Sequence, residues 1–193
     1  MQVALVGRPN VGKTLLLLNF AAYLGVSEVY RRRDLHDETV MSVDAARSEL
    51  VSRVALKHLD GLTVRVNGKL PRGRALTLTD GVGLFEGVHP EVKVRHAMAE
   101  TLERLFVAEM IVHVMDSRMA SVAPMDEQLA ALGGTLPGAW LVVANKADLA
   151  SDAASRNLRG HFANYPVLTL SAVTRRGFRR LKDHLFEHME RLG

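Results

Sequence analysis

Met1-Gln2-Val3-Ala4-Leu5-Val6-Gly7-Arg8-Pro9-Asn10-Val11-Gly12-Lys13-Thr14 opens the chain, and its reading decides the fold. Residues 1–6 are a short apolar run of the kind that forms a buried strand. Gly-x-x-x-x-Gly-Lys-Thr follows at once, and Leu15 to Leu24 is an almost wholly apolar stretch without a helix breaker. Strand, glycine pattern and helix in this order make a phosphate-binding loop. Gly7 and Gly12 let the backbone close around phosphates, and the helix beginning near Gly12 adds the positive end of its dipole. The expected phosphate contacts run through Gly7, Asn10, Val11, Gly12, Lys13, Thr14 and Leu15. Lys13 is placed to reach the β- and γ-phosphates and the Thr14 hydroxyl to ligate Mg²⁺. A glycine-rich turn without a ligand is the bland alternative, and motif and context together outweigh it.

At 193 residues and 48% hydrophobic, the chain has the size and composition of one globular domain, residues 1–193. No apolar run approaches the ~20 residues that span a bilayer. Residue 1 leads straight into a strand, so no signal peptide is expected, and a phosphate loop points to the cytoplasm. The absence of cysteine excludes disulfides and thiolate metal sites. The net charge of +4 permits contact with RNA or an anionic surface without requiring either.

Downstream, Leu62–Val66 and Ala75–Thr79 alternate as strands and are expected to form a hairpin with a longer loop. Met110–Met115, Ala139–Ala144 and Val167–Leu170 are apolar strands, each followed by a helical stretch. A further helix is expected from about Pro90 to Val107, and helical spacing also runs from Asp44 to His58. The polar stretch 26–61 otherwise reads as a functional loop. Apolar strands alternating with helices predict a mainly parallel sheet covered on both faces. Ligands bind such sheets beyond the carboxyl ends of the strands. Asp80, Asn145–Asp148 and Ser171-Ala172 all fall at that edge with the phosphate loop.

Asp80-Gly81-Val82-Gly83 fits a carboxylate that holds Mg²⁺ through water and a Gly83 N–H that meets the γ-phosphate. Taken alone, Asp-x-x-Gly describes many turns. Asn145-Lys146-Ala147-Asp148 sets the base: the Asp148 carboxylate can accept from guanine N1–H and its 2-amino group, a donor pair that adenine lacks. Asn145 is expected to brace the loop, Lys146 to pack on the base, and Ser171-Ala172 to offer an N–H to the guanine oxygen. A capped turn with Asp148 starting the next helix would not explain Asn-Lys at a strand end.

These four ordered motifs resemble the signature of the GTPase superfamily. Gly-Arg-Pro-Asn-Val-Gly-Lys-Thr is similar to the Era and TrmE branch, which includes the cytosolic GTPase domain of the ferrous-iron transporter. The resemblance covers all but roughly residues 26–61. It implies a three-layer, Ras-like P-loop NTPase fold with six strands that hydrolyses GTP to GDP and phosphate with Mg²⁺. Such an enzyme acts as a slow molecular switch with an atypical first switch.

Three departures qualify the resemblance. Gly81-Val82 replaces the branch's x-Pro, which should loosen the second switch. Leu84 stands where Ras-like enzymes carry a water-orienting Gln, as is usual in this branch, so catalysis must draw on other groups. Family members with Asn at the Asn10 position often use K⁺, which makes Asn10, with Lys13, the candidate catalytic pair and Asn10 the candidate K⁺ ligand. The bland alternative for Asn10 is a loop-bracing amide. The first switch should also supply a Thr to Mg²⁺ just before Leu62, but the residues leading into it hold none; Thr39 lies far upstream, Ser52 is a weak substitute, and the contact is left open between Thr39, Ser52 and neither.

The expected partners are GTP and GDP, and a protein or ribonucleoprotein effector that reads the second switch helix. A nucleotide-dependent homodimer is a further candidate. The alternatives are a guanine-nucleotide-binding module with little hydrolysis and an ATPase. Arg31–Arg33 and Arg175–Arg180 could meet RNA phosphates, although such runs are more often solvated surface. His184 and His188 lack a third metal ligand nearby and read as a solvated face, and His113 reads as a satisfied core residue.

Overall fold

The computed structural model describes residues 1–34, 37–50, 61–67, 70–119 and 121–192. The elements are β1 (Gln2–Val6), α1 (Lys13–Tyr23), β2 (Glu28–Asp34), β3 (Asp37–Ser42), α2 (Val43–Leu50), β4 (Gly61–Val66) and β5 (Leu76–Asp80). They continue with α3 (Val92–Val107), β6 (Met110–Asp116), α4 (Pro124–Leu132), β7 (Ala139–Asn145), α5 (Asp152–His161), β8 (Val167–Thr169) and α6 (Phe178–Arg191). One sheet runs in the order β3-β2-β4-β5-β1-β6-β7-β8. Its β5-β1-β6-β7-β8 part is parallel, and β4, β2 and β3 extend it antiparallel.

Period-two alternation on β1 divides the core. Val3 and Leu5 face one layer, built on α1 and α6 with Leu16, Leu17, Phe20, Phe178 and Leu185. Ala4 and Val6 face the other, with Leu105 of α3, Leu129 of α4, and Leu158 and Phe162 at α5. Burial on both faces makes β1 and β6 nearly continuous apolar runs, as parallel strands between two helix layers must be.

The α/β three-layer reading holds, but among the described residues the sheet has eight strands and not six. The added pair is β2–β3, in the stretch read as a polar loop. Arg31 is 5% exposed and ion-paired to Glu49 of α2 at 2.6 Å, so a charged residue occupies a strand because a partner outside the strand neutralises it. Arg32 is paired to Glu100 of α3 at 3.0 Å. Both arginines are thus ion-paired within the chain.

α2 covers part of the helix expected from Asp44, and α3 starts at Val92, two residues after the expected Pro90. The expected hairpin is β4–β5, with Leu62 opposite Asp80 and Val66 opposite Leu76. Ser52 lies outside the described residues. Thr39 sits on β3 in register with Arg31, which is in register with Leu62 and so with Asp80. Three strand spacings, roughly 14 Å, therefore separate Thr39 from the Asp80 strand, so Thr39 does not stand at that carboxylate.

Candidate nucleotide-binding site

The phosphate loop joins β1 to α1 through three positive φ values: Gly7 at 144°, Asn10 at 63° and Gly12 at 93°. A side chain at Gly12 would meet the Asn145 amide at 2.5 Å, so this glycine is required by close approach as well as by torsion. Lys13 is buried, and its Nζ donates to the Gly7 carbonyl at 3.0 Å and the Arg8 carbonyl at 3.1 Å. Burial lowers its pKa, with the carboxylates of Asp80 and Asp126 opposing.

At the carboxyl end of β5, Asp80 is 4% exposed and its Oδ2 accepts from Thr14 Oγ1 at 2.6 Å. Burial raises its pKa above the usual carboxylate range, against the pull of Lys13, Thr14 and Arg104. Asp80 Oδ1 is buried with no hydrogen-bond partner among the described residues. A hydroxyl beside a buried carboxylate with one unused oxygen suits a hard divalent cation that takes its remaining ligands from phosphate and water. Among the described residues no group of three or more His, Cys, Asp or Glu could hold a metal alone.

Gly83 backs the loop: a Cβ there would meet the Pro9 nitrogen at 2.6 Å. Gly81, expected to loosen this segment, instead packs against Thr101 of α3 so closely that a Cβ would collide with its side chain. The Leu84 N–H donates to the Gly7 carbonyl at 3.1 Å, and its side chain is 2% exposed in the α3 layer. It cannot orient a water.

Asn145, 1% exposed at the end of β7, is the hub of the other half. Its Nδ2 donates to the Val11 carbonyl at 2.9 Å, and its Oδ1 accepts from the Ala172 N–H at 2.9 Å. The Asn19 amide of α1 donates to the Ala172 carbonyl at 2.7 Å, so α1 also holds the Ser171-Ala172 loop. Lys146, at φ 63°, lays its Nζ on the Asn10 carbonyl at 2.5 Å and on Asp116 Oδ2 at 2.8 Å. Asp148 is exposed, with no hydrogen bond to its carboxylate among the described residues.

Two carboxylates at this edge were not anticipated. Burial alone would raise the pKa of Asp116, but hydrogen bonds from Arg118 and Lys146 hold it well below the usual range, so it stays ionised and positions Lys146. Asp126 of α4 is fully buried, accepts from Arg8 Nε at 2.8 Å and pairs with His113 Nε2 at 3.0 Å. His113, read as a satisfied core residue, thus shares a carboxylate with the phosphate loop. Asp116 was findable, because it ends a strand at the same edge as Asn145; Asp126 lies on a helix, where no such rule points to it.

Proteins with this geometry are known. The family model described as 50S ribosome-binding GTPase matches residues 2–146. The tRNA modification GTPase MnmE of Haemophilus influenzae is 28% identical over 98% of this chain and 35% of its own length. The GTPase Obg of Bacillus velezensis is 31% identical over 96% of this chain and 38% of its own length. The chain therefore spans little more than a third of these curated relatives. Among solved structures, Era of Aquifex aeolicus bound to GDP and AlF4⁻ has a TM-score of 0.70 at 19% identity, covering 97% of this chain and 56% of Era. The G domain of the Thermotoga maritima FeoB iron transporter has a TM-score of 0.62 at 22% identity, covering 98% of each chain. With the family model running from β1 through the Asn-Lys pair that ends β7, the chain belongs to the 50S ribosome-binding GTPase family.

Proposed function

We propose that the chain binds guanine nucleotide with Mg²⁺ and hydrolyses GTP to GDP and phosphate, as a slow cytoplasmic switch. The observation that carries this reading is the Asn145 amide, which ties the phosphate loop to the Ser171-Ala172 loop. That tie fixes the distance between a phosphate site and a base site and leaves the Asp148 carboxylate free to accept from guanine. Thr14 and Asp80 would hold Mg²⁺, which when bound neutralises charge on the β- and γ-phosphates. Lys13 would exchange its two carbonyl acceptors for phosphate oxygens, and the Gly83 N–H would meet the γ-phosphate. The effector surface is α3 with its leading segment, where Val88, Val92 and Phe106 are exposed.

Leu84 supplies no water-orienting group, so hydrolysis rests on the phosphate loop. Its Asn10 side chain is exposed and hydrogen-bonded to none of the described residues, while the loop is braced through the Asn10 carbonyl. That freedom supports Asn10 as a K⁺ ligand, and equal turnover in Na⁺ and K⁺ would remove it. The buried Leu84 also supports a second reading, a guanine-nucleotide-binding module with little hydrolysis; single-turnover hydrolysis separates the two. The base assignment is tested by Asp148→Asn. A site built around a carboxylate should lose GTP affinity by ~10²-fold or more and gain xanthosine triphosphate. Unchanged selectivity in nucleotide titrations would overturn it.

A further inference from the structure

Beyond the proposed nucleotide site, a strongly basic cleft of about 570 Å³ lies between α5 and α6. Five arginines line it: Arg156 and Arg159 from α5, Arg176 from the loop after β8, and Arg179 and Arg180 from α6. No carboxylate and no aromatic ring lines it among the described residues. Arg159 donates to Thr169 Oγ1 at 3.0 Å, and Arg179 has a loose pair with Asp183 at 3.8 Å. Arg156, Arg176 and Arg180 have no ion pair among the described residues, and all five are exposed. Five like charges in one cleft, on a chain whose net charge is only +4, repel one another unless an anion sits among them.

We propose that this cleft binds the phosphate backbone of a double-stranded nucleic acid. Guanidinium groups present planar forks that match phosphate oxygens, and two helices set them on opposing walls, so that several phosphates can be met at once. The lining has no aromatic platform on which unpaired bases could stack, which disfavours a single strand. It also has no amide or carboxylate to read adenine or cytosine edges, so its charged contacts are those of arginine, made first to phosphate oxygens. Apart from the arginines the walls are Ala, Ser, Thr and Gly, too small to hold a free mononucleotide by its base.

The cleft adjoins the base loops. Ala147 lies in its wall, the Ala147 N–H donates to the Leu170 carbonyl at 3.1 Å, and the Arg176 carbonyl accepts from the Ser171 N–H at 3.0 Å. A phosphate held by Arg176 would thus bear on the loop assigned to guanine. This link rests on the proposed nucleotide site, whereas the docking itself does not.

The test is fluorescence anisotropy of the 193-residue chain with labelled 16-base-pair RNA and DNA duplexes and a single strand of the same length, over a range of salt. Duplex binding should weaken with salt at a log–log slope of about −4 to −5, as expected when five phosphates are neutralised. The double variant Arg156→Ala/Arg180→Ala should make that slope shallower by about 2 while leaving GTP affinity and the unfolding transition in place. Comparison of the RNA and DNA arms tells which helix is preferred, and binding of either with that slope supports the proposal. A single strand bound as tightly as the duplex, an unchanged slope in the double variant, or binding only to vesicles containing phosphatidylserine would overturn it. Loss of GTP binding in Asp148→Asn with duplex binding intact would separate this proposal from the nucleotide assignment.

Discussion

On one side of β1 a buried, uncharged amide joins two loops, alongside charged pairs such as Lys146–Asp116, while on the other side exposed ion pairs run between the outer strands and their neighbours. Asn145 is 1% exposed and joins two loops through its amide. The β2–β3–β4 extension is held by Arg32–Glu100 and Arg65–Glu38, whose side chains are 34–44% exposed. A buried hydrogen bond holds geometry because breaking it strands an atom away from water. An exposed ion pair is worth only ~0–1 kcal/mol and rearranges cheaply. On the proposed function, this contrast would separate recognition, which needs a fixed frame, from switching, which needs two accessible arrangements.

The most damaging way to break this contrast is Asn145→Ala. It leaves the Val11 carbonyl and the Ala172 N–H buried without a partner, and two such losses cost about 2–5 kcal/mol. Urea unfolding should show that loss, and nucleotide titration should show weaker binding of both base and phosphate ends.

Asp80→Asn comes next. It should lower Mg²⁺-dependent hydrolysis by ~10²–10³-fold, the scale for removing one preorganised electrostatic group. The unsubstituted carboxyl carries a pH signature. Because burial raises its pKa above the ordinary 3.8, the folded chain holds that proton more tightly than the unfolded chain. The stability this contributes is complete below the ordinary value and is lost as pH rises through the raised one. Mg²⁺ competes with the same proton, so Mg²⁺ affinity should weaken as pH falls towards the raised value. Asp80→Asn should flatten both dependences, read by Mg²⁺ titration and thermal melts from pH 4 to 8.

Glu100→Ala sharpens the contrast from the weak side. It releases Arg32 of β2 and Arg104 of α3 together. Stability should change by under about 1 kcal/mol, whereas amide exchange in β2 should rise. A stability loss as large as that of Asn145→Ala would end the distinction between the two halves.

The same contrast explains what the sequence disclosed. β1, β6 and β7 were legible because strands buried on both faces carry the whole signal in their own apolar residues. The strand ends then placed Asp80, Asn145 and the Ser171-Ala172 loop on one edge. β2 was illegible because the buried Arg31 pairs with Glu49, 18 residues on, and local pattern holds no trace of that partner. Asp126 was hidden for the same reason, since it acts through Arg8 and His113 from a different helix. Thr39, already far upstream in sequence, is carried three strands away from Asp80 by the antiparallel extension.

Asn10 and Lys146 share the same left-handed torsion, and the side chain of one rests on the carbonyl of the other. A residue with a Cβ pays on the order of 1 kcal/mol for that torsion, and glycine would pay almost none. Relaxing both positions to glycine would therefore look, to a protein engineer seeking a higher melting temperature, like an easy gain. It would also delete the Lys146 side chain that joins the Asn10 carbonyl to Asp116, and the Asn10 amide proposed as a cation ligand. The torsional strain at these two positions is thus offset by a contact that glycine could not make, since only a side chain at Lys146 reaches the Asn10 carbonyl.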